Sequence, residues 1–226
     1  MERIDADGLI FDLDGVLIDS HDAVTGSINA ALVEHGLGAR PPETLRHYIG
    51  PPTYTAFAEL TGEPEDSAAV AAIVATYRRN YAAVYMTATH PIEGVGPVLD
   101  ALAARLVLAI ATSKSVLFTQ PLLDELGLAR HFAVIEAAAA NDTSDDKTAI
   151  VGRALAALHA RGCRAVAMVG DRSYDLVAAR AHGLAAIGVT WGIGSAGELE
   201  AAGASVLVHE PRELALLFGA EAPELP

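Results

Sequence analysis

The sequence predicts an α/β fold, a parallel sheet flanked by helices and interrupted after its first strand by a helical insertion. Three observations predict it: short apolar runs recur along the chain, helical patterns lie between them, and residues 20–89 carry helical patterns without a convincing strand. The runs at 9–13, 106–111, 133–135, 165–169, 185–189 and 205–208 are bounded by Gly, Asp, Thr or Ser and read as buried strands. Helical patterns at 95–105, 116–126, 147–160, 174–182 and 196–202 each have about the length a crossover helix needs. Within the insertion, 22–34 is closed by Gly36, 42–48 by Gly50 and 53–60 by Gly62, glycine being the expected helix stop, and 67–85 forms a fourth helix. The chain is therefore expected to divide into a core, residues 1–18 and 90–226, and a helical module, residues 19–89. In open α/β sheets the ligand sits at the carboxyl ends of the strands, so a module inserted after the first strand is expected to act as a lid.

The composition narrows the function. At 226 residues, 52% hydrophobic and mean hydropathy +0.33, the chain has the apolar material for a core and is not a disordered protein. Fifteen Lys and Arg against 29 Asp and Glu give a net charge of −14, a field that repels nucleic acid and anionic membranes. The expected partner is a small molecule, and the acidic surface selects no oligomeric state. The lone cysteine, Cys163, forms neither an intrachain disulfide nor a zinc cluster. With an acidic start lacking an apolar secretory core and no run of 18 apolar residues, the expectation is a cytoplasmic protein. Thirteen of the 15 basic residues are arginine, so Lys114 and Lys147 are the whole lysine complement.

Chemistry-bearing residues close four of the runs. The first ends Asp12-Leu13-Asp14-Gly15, two acids expected on one side of a strand before a sharp turn. The second ends Thr112-Ser113-Lys114, where a hydroxyl and free N–H groups at a helix start make an anion cradle. Asp145-Asp146-Lys147 heads the helix at 147–160, a place where lysine opposes the macrodipole. The fourth ends Gly170-Asp171-Arg172-Ser173-Tyr174-Asp175. Each has an ordinary alternative: an Asx turn or cap for the first acids, an N-cap for Thr112 or Ser113, a solvated lysine, and charge–dipole complementarity for Asp171 and Asp175. Together they share one sheet edge. Asp12, Asp14, Asp171 and Asp175 against Lys147 need a divalent cation or a proton, and oxygen ligands without His or Cys favour Mg2+. Carboxylates, a hard cation, a lysine and an anion cradle suit phosphoryl transfer.

In order and spacing, Asp12-x-Asp14-Gly15, Thr112, Lys147 and Gly170-Asp171-x-x-x-Asp175 resemble the four motifs of the haloacid dehalogenase superfamily over nearly the whole chain. The insertion is similar to that superfamily's α-helical cap on a Rossmann-like core. Tyr48-Ile49-Gly50-Pro51-Pro52, Gly170-Asp171-Arg172 and Gly188-Val189-Thr190-Trp191-Gly192 are similar to its phosphoglycolate-phosphatase-like branch. The resemblance implies Asp12 as the nucleophile that becomes an aspartyl phosphate, and Asp14 as general acid and then base, its resting proton supplied by the crowding of acids. It implies Mg2+ on Asp12, the Asp14 main-chain carbonyl and Asp171, with Asp175 orienting that shell, and Lys147, Thr112 and the Ser113 N–H on the phosphoryl oxygens.

The implied activity is hydrolysis of a small phosphomonoester. A β-phosphoglucomutase-like sugar phosphomutase keeps the same core residues and is the main rival. A dehalogenase has no need of the magnesium site, and a phosphonatase needs a cap lysine that residues 20–89 lack. A non-catalytic phosphate-ester-binding protein would be expected to have lost Asp12, Asp14 or Lys147. Substrate choice falls to the insertion, where Arg46, His47, Tyr48, Thr53, Tyr54, Tyr77, Arg78 and Arg79 are candidates. The stiff turn around Arg46 and His47 carries the most weight. Lys114 is read as a surface residue, His21 as a surface histidine of the insertion, Arg172 as a bridge to neighbouring acids, and Trp191 as packing behind the site.

Overall fold

A computed structural model describes residues 3–140 and 146–221. The chain forms two compact units, Met1–Asp19 with Pro91–Pro226, and Ser20–His90. It begins with β1 (Gly8–Phe11) and a short β2 (Ile18–Asp19). The second unit then follows as α1 (His21–Glu34), α2 (Pro42–Leu45) running into a 3-10 turn at Arg46–Tyr48, α3 (Thr53–Thr61) and α4 (Ala68–Val84). After β3 (His90–Pro91) come α5 (Val95–Ala103), β4 (Val107–Ser115), α6 (Val116–Glu125), a 3-10 turn at Ala129–His131 and β5 (Val134–Ala138). The chain finishes as α7 (Lys147–Ala160), β6 (Val166–Gly170), α8 (Ser173–Ala181), β7 (Ala185–Val189), α9 (Ala196–Ala201), β8 (Val206–Val208) and α10 (Pro211–Leu217).

Six strands form one sheet in the order β5-β4-β1-β6-β7-β8, with every neighbouring pair parallel. Strand β1 lies in the middle because its residues are apolar on both faces: Leu9, Ile10 and Phe11 are all fully buried. The register sets Ala109, Ile10, Met168 and Ala186 in a row across four strands. Val151, Ala154 and Leu158 of α7, Leu176 of α8 and Leu199 of α9 belong to the same buried cluster. The alternate residues Leu9, Leu108, Phe11 and Ile110 are buried too, so the sheet is covered on both sides.

In the helical unit α4 packs against α1 and α3. It buries Ile28, Leu32, Phe57, Ile73 and Tyr81, and an aromatic ladder runs Phe57–Tyr77–Tyr81–Tyr85 with centroids 5.5, 5.7 and 5.6 Å apart. Arg78 lies 5.7 Å over the Tyr54 ring, and Arg79 pairs with Glu34. Tyr77 and Arg78 thus pack on aromatic neighbours inside this unit, and Arg79 makes an exposed ion pair there.

Three strand ends depart from the sequence expectation, β5 among them, which runs on to Ala138 rather than stopping at 135. Strand β1 stops at Phe11 rather than 13, because the Leu13 carbonyl accepts from the N–H groups of Leu17 and Ile18 and turns the chain there. Strand β4 continues to Ser115 rather than stopping at 111, since polar Thr112–Ser115 still pairs with β5 across a register shift. The pair β2–β3 and helix α10 are additional elements. Among the described residues, no helix is long and apolar enough to cross a membrane. Because Ile10 anchors the row of side chains across the central strands, Ile10→Ala should lower the unfolding free energy by about 2–5 kcal/mol in urea titrations; a change under about 1 kcal/mol would show that this row is not the centre of the core.

Candidate active site

The register carries three of the candidate residues to one edge. Phe11 pairs with Ile110 on one side and Val169 on the other, so Asp12, Thr112 and Asp171 follow at nearly the same level. The Asp12 N–H extends the ladder by one bond, donating to the Val169 carbonyl at 2.9 Å. Asp146 caps α7 by accepting the Ala149 N–H at 2.7 Å, which sets Lys147 at the first helical position. Asp175, in the first turn of α8, reaches back to the Arg172 N–H at 3.0 Å.

Asp12, Asp171 and Asp175 converge, offering one oxygen each within 4.8 Å of one another, and all three are buried. The Lys147 ammonium stands among them, 2.5 Å from Asp12 Oδ1 and 2.8 Å from Asp175 Oδ1. This is what holds a lysine against the helix dipole. One positive charge does not balance three acids. Burial pushes the Asp12 carboxyl up to about 7, with Lys147 pulling it down and Asp175 adding to the rise. Asp171 is held well above its usual range by burial, then by Asp175 and Asp12. Burial opposes the Lys147 charge, yet Asp12 and Asp175 outweigh it and raise the ammonium above its ordinary value.

Close backbone approach makes the cluster possible. Gly15, at φ 82°, and Gly192 both sit where a Cβ would come within 2.3 Å of Asp171 Oδ2. That oxygen accepts the Ile193 N–H at 2.7 Å, whereas Asp171 Oδ1 is buried with no hydrogen-bond partner. A buried, unpartnered carboxylate oxygen on an acid clustered with two others fits a hard cation, and neither His nor Cys is in the cluster.

Asp14 departs from the expectation. Instead of sharing a strand face with Asp12, it lies beyond β1 in the turn, bridged to Ile18, and its side chain pairs with Lys114 at 2.9 and 3.1 Å. Its carboxyl meets a different cation from the one that meets Asp12, because the turn at Leu13 aims the two acids at different lysines. Lys114 is correspondingly not a surface residue: its side chain is only 6% exposed. The N-cap of α6 is Ser115 rather than Thr112 or Ser113, its hydroxyl accepting the Leu117 N–H at 3.4 Å, because β4 runs on through those residues. Thr112 is buried at the sheet edge, and its Oγ1 accepts the Lys114 N–H at 3.1 Å, which leaves the hydroxyl hydrogen to donate. Ser113 follows, half-buried, in the same segment.

Trp191 donates from Nε1 to the Val16 carbonyl at 3.2 Å, fastening the turn that carries Asp14. Arg172 bridges to Glu198 at 3.1 Å, and the same carboxylate oxygen accepts the Ser173 N–H at 2.9 Å. Arg46 and His47 lie exposed on the 3-10 turn of the helical unit, the His47 ring tilted against Tyr48 with centroids 3.9 Å apart, and His21 sits on α1 beside Asp22. Asp145 falls outside the described residues. Sequence reasoning missed Lys114, Ile193 and Glu198. The available signal for Lys114 was its scarcity: both lysines of the chain stand in this site.

The sequence matches the family model of the haloacid dehalogenase-like hydrolases over residues 9–189. It is 34% identical over 203 residues to the tyrosine-protein kinase PtkA of Mycobacterium tuberculosis, spanning 89% of this chain and 68% of that protein. It is 33% identical to a 5'-nucleotidase of Pseudomonas aeruginosa, over 85% of this chain and 86% of the relative, and 32% identical to a phosphoglycolate phosphatase of Agrobacterium fabrum, over 81% and 80%. The crystal structure of a predicted phosphatase from Clostridium acetobutylicum superposes with a TM-score of 0.85 at 29% identity, covering 92% of this chain and 96% of that one.

The raised Asp12 carboxyl carries a pH dependence. Its protonated form contributes stability that is complete below the usual carboxylate range and is lost as pH rises through about 7. A cation binds the ionised carboxylates, so excess Mg2+ should raise the melting temperature more at about pH 8 than at about pH 5.5. Equal rises at both would show that the cation binds outside this cluster.

Proposed function

The chain belongs to the haloacid dehalogenase-like hydrolase family, and from that membership we propose that it is a Mg2+-dependent phosphatase, hydrolysing a small phosphomonoester through an aspartyl phosphate on Asp12. The observation that carries the reading is the Lys147 ammonium lodged between Asp12 and Asp175, with Asp171 in the same cluster and one of its oxygens unpartnered. Asp12 and Asp171 are the side chains that would hold the cation, together with the Asp14 carbonyl, and Asp175 would orient that set. When bound, Mg2+ supplies positive charge that offsets the carboxylates and the phosphoryl oxygens.

The chain's own groups do the rest. Asp12 forms a bond to phosphorus as the ester bond breaks, and the electron pair leaves on the alkoxide oxygen, which takes a proton from Asp14. Asp14 next takes a proton from the water that attacks phosphorus, releasing phosphate and regenerating the Asp12 carboxylate. Lys147, the Thr112 hydroxyl and the Ser113 N–H grip the phosphoryl oxygens. Residues 19–89 take the role of a cap, and Arg46 and His47 that of contacts to the substrate beyond its phosphoryl group. The names of the relatives make phosphoglycolate and a nucleoside 5'-monophosphate the first compounds to assay.

Asp12→Asn removes the attacking oxyanion while keeping the shape. Phosphate release should fall by at least about a thousandfold with the melting temperature little changed, and thorough chelation of the wild type should inactivate it until Mg2+ is restored. Near-normal turnover by the variant, or activity indifferent to chelation, would contradict the reading.

A further inference from the structure

Lys114 has no part in the mechanism above, yet it is buried against one of the two acids that do the chemistry. Its Nζ donates to both oxygens of Asp14, at 2.9 and 3.1 Å, with the two side chains 6% and 10% exposed. The backbone that presents it is tied down at both ends. Its N–H donates to Thr112 Oγ1 at 3.1 Å, and its carbonyl accepts from the fully buried Thr119 hydroxyl at 3.3 Å. The ladder between β4 and β5 shifts register between Thr112 and Ser115, so the strand is irregular where Lys114 turns toward Asp14. The rest of the chain uses arginine for its basic residues, thirteen of them, and lysine stands only here and at position 147. A compact ammonium on a flexible stem suits a confined carboxylate better than a planar guanidinium fork, which keeps the charge but meets it with poorer geometry.

We propose that Lys114 is a positioning residue for Asp14. It holds the Asp14 carboxyl, through both of its oxygens, in the orientation that faces the leaving oxygen of the substrate. The inference rests on the phosphatase reading and adds to it a division of labour, in which Lys147 serves the attacking acid and Lys114 serves the acid that meets the leaving group. Asp14 sits in a turn beyond β1, joined to Ile18 by an isolated bridge. A misdirected carboxyl there loses the proton transfer rather than phosphate binding.

The test exploits the leaving group. An alkyl phosphomonoester expels a strongly basic alkoxide and depends on a placed proton donor, whereas p-nitrophenyl phosphate expels a stable phenolate and hardly does. We would measure kcat/KM for glycerol 2-phosphate and p-nitrophenyl phosphate with the wild type, Lys114→Met and Lys114→Arg, and repeat Lys114→Met in an Asp14→Asn background. Lys114→Met should lose about a hundredfold on the alkyl ester and less than about tenfold on the aryl ester, Lys114→Arg should recover part of the alkyl loss, and Lys114→Met should add little once Asp14 is Asn. Equal losses on both esters, or a full additional loss in the Asp14→Asn background, would overturn the inference. Should Lys114→Met fail to fold by its melting curve, Lys114→Gln takes its place with the same expectations. A wild type that releases phosphate from neither ester would overturn the phosphatase reading itself, a result distinct from equal losses in a working enzyme.

Discussion

The structure depends on keeping three carboxylates buried around one ammonium. Burying charge without compensation costs several kcal/mol per ion even after relaxation. Asp12, Asp171 and Asp175 with Lys147 leave that compensation incomplete. A proton or a hard cation completes it, and both the raised Asp12 and Asp171 carboxyls and the unpartnered Asp171 oxygen express the same shortfall. The rest of the architecture delivers these four groups to one place. Adjacent strands β1 and β6 bring Asp12 beside Asp171, the N-termini of α7 and α8 bring Lys147 and Asp175, and glycines at 15 and 192 remove the side chains that would push Asp171 away.

Two acids separated by one residue occupy different environments because the chain turns between them. Asp12 continues the ladder of β1 and meets Lys147, whereas Asp14 lies past the turn and meets Lys114. Setting like groups in unlike surroundings is how one fold assigns them different chemistry at the same pH. The turn is itself held, by the Leu13 carbonyl on its inside and by the Trp191 indole on Val16. The 191–194 segment therefore supports both sides of the site, through Trp191 to the turn with Asp14 and through Ile193 to Asp171.

Most of the architecture was legible because the sheet is buried on both faces. Its strands then read as short apolar runs, and the chemistry begins beyond four of them, so Asp12, Lys147, Asp171 and Asp175 could be placed on one edge by order alone. What escaped lay where polar residues stay in regular structure. The segment Thr112–Ser115 looks like a loop by composition, yet it remains in β4, which is why the cap of α6 fell on Ser115 and why Lys114 was read as solvated. The pairing of Asp14 with Lys114 joins residues a hundred positions apart, and no local pattern announces it. The Ile193 N–H that meets Asp171 is a backbone group, invisible to any reading of side chains. In the helical unit the periodicity located all four helices but did not separate packing from recognition. Tyr77, Arg78 and Arg79 are occupied with Phe57, Tyr54 and Glu34.

The central claim is that these charges converge so that Asp12 can attack phosphorus. Its most direct test is to quench the enzyme during turnover of a phosphomonoester, reduce it with borohydride, and map the peptides by mass spectrometry. An acyl phosphate is reduced to the alcohol, so the account predicts homoserine at position 12 and at no other acid, dependent on substrate. Homoserine at another position, or an unmodified Asp12 in an enzyme that is turning over, would contradict it.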